Sequence, residues 1–98
     1  MELNSRQRAQ LRSMANTMQP IFQIGKGGIG EESIEQLNLA LEARELIKIT
    51  VLETAPLTAH EAAEALKVSL RAEIVQCIGR KVTFYRQSRE NKRIELLK

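Results

Sequence analysis

Ninety-eight residues suffice for one domain with a modest core, here spanning 1–98, and leave no room for two nucleotide-binding halves. A composition of 43% hydrophobic and 28% charged residues is that of a globular chain, which excludes wholesale disorder. The formal charge of +3 is unevenly spread: residues 1–30 and 80–98 are basic, whereas 31–79 hold nine acidic residues against four basic ones. If folding brings both ends together, the result is a one-sided basic field that attracts polyanions.

The first residues are polar and basic, without the apolar segment of a secretory signal. No stretch approaches the roughly 18 apolar residues of a membrane span. Cys77 is the only cysteine, so an internal disulfide or a multi-cysteine metal site is excluded. A cytoplasmic protein with no membrane partner is expected.

In chain order, Asn4 or Ser5 can cap a first helix whose apolar stripe is Leu11, Met14, Ala15 and Met18. Pro20 stops it, and Ile21–Ile24 form a short strand. A second helix is predicted over Glu31–Arg44, with Ile34, Leu37, Ala40 and Leu41 inward. Leu46–Leu52 is the clearest strand, placing Ile47, Ile49 and Val51 on one face and Lys48 and Thr50 on the other. Thr58-Ala59-His60-Glu61 reads as a capping box before a helix packed through Ala59, Ala62, Ala63 and Leu66.

Val68-Ser69 suggests a break, followed by a further helical stretch with Leu70, Ile74, Cys77 and Ile78 inward and Gly79 ending it. Lys81–Arg86 is a third strand, Gln87–Arg93 a polar turn, and Ile94–Leu97 a fourth strand forming a hairpin with the third. The expected fold is α/β: a single compact domain with a small four-stranded mixed sheet and packed helices in the order αβαβααββ.

Chemistry concentrates in Ile24-Gly25-Lys26-Gly27-Gly28-Ile29-Gly30, between a strand and an acidic-headed helix. Glycine lets a backbone turn tightly and approach another molecule closely, because no Cβ intervenes. Gly25, Gly27 and Gly30 match the spacing of a dinucleotide fingerprint, but the chain lacks room for the accompanying sheet. Glu31 and Glu32 would also repel a pyrophosphate at that helix start. A Walker loop is excluded because Lys26 is not followed by Ser or Thr. Gly25-Lys26-Gly27-Gly28 is also a Gly-x-x-Gly loop, the element with which KH domains clamp about four nucleotides. A tight turn requiring positive φ is the alternative that remains open at this point.

Three blocks in register carry a family resemblance: Ile24–Ile29, Ala40–Ile49 and Ile74–Arg86. With them the whole chain resembles the CRM domain, the chloroplast RNA splicing and ribosome maturation family, in its single-domain bacterial YhbY-like form. That resemblance implies a fold similar to the C-terminal domain of translation initiation factor three, with the Gly-x-x-Gly loop facing RNA. It also implies a link to precursor ribosomal RNA of the large subunit and to the pre-ribosomal particle. Where the family often has Thr, this chain has Gly30, which weakens the helix cap.

No catalytic or metal-binding set emerges. His60 is the only histidine and belongs on a solvated helix face, Cys77 reads as a core thiol, and Glu42 and Glu45 read as solvated. Aromatic residues are only 3%, so backbone electrostatics must outweigh base stacking. The expectation is a non-enzymatic RNA-binding protein, without cofactor or small-molecule substrate, acting on structured ribosomal RNA in large-subunit assembly. Gly25, Gly27 and Gly28 would admit the RNA backbone and Lys26 would pair with a phosphate. Arg8, Arg12, Lys48, Arg80 and Arg86 would supply the surrounding field. A protein-interaction module docking on a ribosomal protein or assembly GTPase is the alternative.

Overall fold

The segment of clearest period-two alternation becomes the centre of the sheet. Residues 2–98 are described by a computed structural model, in which β2 (Leu46–Val51) buries Ile47, Ile49 and Val51 on one face. Leu46 is buried on the other face. β1 (Phe22–Ile24) lies parallel to β2, while β4 (Lys81–Tyr85) is antiparallel to both β2 and β3 (Glu73–Ile78). The strand order is β1-β2-β4-β3.

Helices α2 (Glu31–Arg44) and α3 (Ala59–Leu70) cover one face through Leu37, Leu41, Ala62, Ala63 and Leu66. Helix α1 (Ser5–Ala15) and the C-terminal segment cover the other, where Leu11 and Ala15 meet Leu46, Val75 and Tyr85. Phe84 and Tyr85 are therefore both buried, on opposite faces. Each such side chain contributes roughly 1.5–3 kcal/mol by leaving water. Met14, expected in the α1 stripe, is 41% exposed, because Leu11 and Ala15 at i and i+4 take the contact.

The helix starts follow their local chemistry. The Asn4 side chain accepts the Gln7 N–H at 2.8 Å, and the Gln7 side chain accepts the Asn4 N–H at 3.0 Å. Thr58 and Glu61 make the same reciprocal pair at 3.1 and 2.8 Å.

The class is the expected one, a four-stranded mixed sheet with packed helices, but the element order is αβαβαββ. Helix α3 continues through Val68-Ser69 and stops where Arg71 turns left-handed at φ 53. The stretch expected to be helical is instead β3, and a β-bulge explains the misreading. Ile74 pairs with Phe84 and Gln76 with Thr83, so Val75 is the extra residue. Ile74 and Cys77 then pack on the same core three residues apart, which imitates helical spacing, while Val75 faces the other core. Gly79 is not a helix terminator: at φ 59 it opens the two-residue turn between the paired Ile78 and Lys81. The hairpin is β3–β4.

Ile94–Leu97, expected as a fourth strand, is an irregular strap across the α1 face, because its polar partners are side chains rather than a neighbouring strand. Gln10 donates to the Glu95 carbonyl and accepts the Leu97 N–H, while Ile94 and Leu96 pack on the core beneath. The strap is anchored by Glu42 and Glu45, which are not the solvated pair expected. Glu45, fully buried at φ 65, accepts N–H groups from Ser88 and Ile94 at 2.8 Å and from Arg93. Glu42 accepts the Ser88 hydroxyl and the Arg89 N–H.

Burial pushes the Glu45 carboxyl up, but the N–H groups of Arg93, Ser88 and Ile94 together with Lys92 hold it below the ordinary carboxylate range. The Ser88 hydroxyl, with backbone N–H groups, does the same for Glu42. A lowered carboxyl value stabilises the fold above the ordinary range, and this contribution disappears as pH falls through the folded-state values. Acid should therefore loosen residues 88–97, with fluorescence of Tyr85, the only tyrosine, as reporter. Glu45→Gln should cost about 1–3 kcal/mol at neutral pH, because an amide cannot accept all three donors. An unchanged denaturation curve would contradict this assignment.

Candidate nucleic-acid interface

Parallel pairing of β1 and β2 sends both following loops out of the same end of the sheet, where the Leu52 N–H reaches the Ile24 carbonyl at 2.8 Å. Gly25–Gly28 closes as a β-turn, the Gly28 N–H donating to the Gly25 carbonyl at 2.9 Å. Gly28 answers to the protein's own packing, and Gly25 lies in ordinary contact. Gly28 has φ 69, and a Cβ there would lie 3.1 Å from Pro56 Cγ. A Cβ on Gly25 would sit 3.4 Å from Leu52 Cδ1.

Gly27 is different. A Cβ there would meet nothing within 4 Å, and its φ is not positive. The fold does not require this glycine, and beside it Lys26 is exposed. Gly30, also without a close neighbour, precedes α2 and donates weakly to Ser33 Oγ at 3.4 Å, so no side chain caps that helix. Exposed Glu31 and Glu32 occupy the first turn, which disfavours a phosphate over the start of α2.

The β3–β4 turn emerges at the same end, since the Val51 N–H donates to the Arg80 carbonyl at 2.7 Å. Following strand order, the glycine loop, residues 52–58 and the Gly79-Arg80 turn lie side by side. The Arg80 side chain is 55% exposed and stands 3.5 Å from Glu53. Lys81, outside the set chosen from sequence, is exposed and pairs across the sheet with Thr50 on one side and Ile78 on the other. Thr50 in turn pairs with Gln23, so Gln23, Thr50, Lys81 and Ile78 form a transverse row without a carboxylate. Lys81 shares its face with Thr83 and Tyr85, both buried, so strand alternation alone gave no signal for its exposure.

The other cations divide sharply. Arg12 is exposed in the last turn of α1. Arg8, Lys48 and Arg86, expected in the RNA-facing field, are instead occupied inside the fold. Arg8 donates to the Ile74 carbonyl. Lys48 is buried, its Nζ donating to the Ala15 carbonyl at 2.6 Å at the end of α1. Arg86 joins three elements by donating to Asn38 Oδ1 at 2.7 Å, the Leu70 carbonyl at 2.8 Å and the Asn38 carbonyl at 3.1 Å. These cations spend donors on carbonyls within the fold, and Lys48 is buried as well. His60 is exposed on α3 as expected. Cys77 is half-buried, and burial raises its thiol pKa, which keeps it protonated and unreactive.

Against this geometry, residues 3–86 match the CRS1 / YhbY (CRM) domain. A Bacillus subtilis relative named Probable RNA-binding protein YqeI is 47% identical over 94 residues, covering 96% of this chain and 98% of its own. A Haemophilus influenzae protein named RNA-binding protein is 30% identical over 90 residues, covering 92% and 91%. The solution structure of SAV1595 from Staphylococcus aureus superposes with a TM-score of 0.81 at 49% identity, over 98% of this chain and all of that one. The match over most of the chain, in sequence and in fold, places this protein in the CRS1 / YhbY (CRM) domain family.

Proposed function

We propose that the glycine-loop end of the sheet is an RNA-binding surface, and that the RNA is structured precursor ribosomal RNA of the large subunit, met in the cytoplasm on the assembling particle. Gly27 carries the proposal: the fold has no use for its missing side chain, and it stands exposed beside Lys26. A missing Cβ that serves no internal contact fits close approach by an external backbone. Lys26, Arg80 and Lys81 line this end and Arg12 extends the cationic surface. The RNA crosses from the glycine loop towards the Gly79-Arg80 turn, avoiding Glu31 and Glu32. The names of the relatives support RNA as the ligand class, and the family resemblance supports the ribosomal destination. The domain acts by binding, without turnover, since the exposed His60 and the protonated Cys77 make no activated nucleophile.

Gly27→Asp should fold normally and lose RNA affinity, because it adds bulk and negative charge where the protein itself leaves space. Gly28→Asp is a poorer probe, since φ 69 and Pro56 make it strain the loop as well. Wild-type affinity in Gly27→Asp, measured by filter binding, would remove the loop from the interface.

Four exposed cations predict a log–log salt slope on single-stranded RNA of about −3, at roughly −0.7 per phosphate contact. Lys81→Ala should flatten it by about one contact, while Lys67→Ala, two turns along α3 from this end, should not. Arg86→Ala should behave oppositely, losing roughly 1.5–3 kcal/mol of stability but keeping the slope wherever it remains folded. A slope near zero would contradict phosphate contact as the main source of affinity.

A further inference from the structure

Between residues 52–58 and the Gly79-Arg80 turn lies an open cleft of about 420 Å³, floored by the start of α3. Val51, Leu52, Ala55, Pro56 and Leu57 give it apolar walls, Thr58, His60 and Glu61 a polar floor, and its rim carries Glu53 and Arg80. Leu52 and Pro56 are also the side chains against which Gly25 and Gly28 pack. The cleft and the glycine loop therefore share Leu52 and Pro56 and are immediate neighbours.

The chemistry of the cleft disfavours a phosphate. The capping box engages the Thr58 and Glu61 N–H groups, and the Glu61 carboxylate, accepting the Thr58 N–H at 2.8 Å, puts negative charge at the start of α3. An open recess with apolar walls beside a backbone clamp instead suits a neutral planar group. On its rim, Glu53 and Arg80 lie 3.5 Å apart, both side chains more than half exposed. A carboxylate and a guanidinium side by side present acceptors next to donors. Guanine offers the matching edge: its N1–H and N2–H can both donate to the carboxylate while O6 accepts from the guanidinium. Adenine offers the carboxylate a single amino donor, so one acceptor is left unused. An exposed ion pair contributes little to stability, so exchanging it for contacts to a base costs little.

Resting on the RNA-binding reading above, we infer that this cleft receives one unstacked base, preferentially guanine, from a single-stranded segment whose backbone lies on the glycine loop, with Glu53 and Arg80 reading its Watson–Crick edge. Duplex RNA cannot supply such a base without unpairing it. The domain consequently prefers loops and bulges of a structured RNA to its helices.

The test uses the full chain and fluorescein-labelled uridine-rich hexanucleotides bearing one central guanosine, adenosine or inosine, with the guanosine strand also presented as a duplex. Fluorescence anisotropy should show guanosine bound at least about fivefold more tightly than adenosine, with inosine between them because it lacks the N2 amine. The duplex should bind more weakly than its single strand. Glu53→Gln, at a mostly exposed position, should abolish the preference for guanosine over adenosine. Equal affinity for all three strands, or a preference untouched by Glu53→Gln, overturns the cleft assignment and leaves RNA binding standing. Failure of every strand and of the duplex to bind overturns the RNA reading, and this inference with it.

Discussion

The contact between Gly28 and Pro56 is the constraint on which the functional end of this protein depends. With φ 69 and 3.1 Å between a would-be Cβ and Pro56 Cγ, glycine lets the turn after β1 close against the loop after β2 without strain. That closure presents Lys26 and Gly27 outward, brings residues 52–58 between the glycine loop and the β3–β4 turn, and makes one side of the cleft. The parallel β1–β2 pair supplies the geometry, since two parallel strands deliver their C-terminal loops to one end of the sheet.

Two demands on the same residue types explain how charge is distributed. The sheet is covered on both faces by three helices and an irregular strap, so carbonyls at helix ends and strand edges must find donors inside the fold. Arg8, Lys48 and Arg86 answer that demand, and Glu42 and Glu45 do the reciprocal work for the N–H groups of the strap. Among the cations left exposed, Lys26, Arg80 and Lys81 stand at the glycine-loop end and Arg12 on α1. A protein this size can thus present a basic surface while using several of its cations as structural donors.

Much of the fold was legible because its signals are local. The bounds of α2, the reciprocal cap at Thr58 and Glu61, and the faces of β2 all follow from spacing within a few residues. The misreadings share a different origin. The bulge at Val75 turned a strand's period into a helical one, and a bulge is decided by its partner strand rather than by its own sequence. The strap is held by Glu42 and Glu45, more than 40 residues away in the chain. At the site, alternation correctly sent Lys48 to the polar face, but nothing local announced that the end of α1 covers that position. The glycine spacing was readable, whereas the distinction between Gly28, which the turn needs, and Gly27, which it does not, required the neighbour at Pro56.

The most direct test of the central claim is amide chemical-shift mapping of the ¹⁵N-labelled protein titrated with a single-stranded RNA. The account predicts that the largest changes fall together on Gly25–Gly30, on residues 53–57 and on Gly79–Lys81, with the strap and the surroundings of Lys48 and Arg86 little affected. Changes centred on residues 88–97 or on the outer face of α2, with the glycine loop silent, would contradict it.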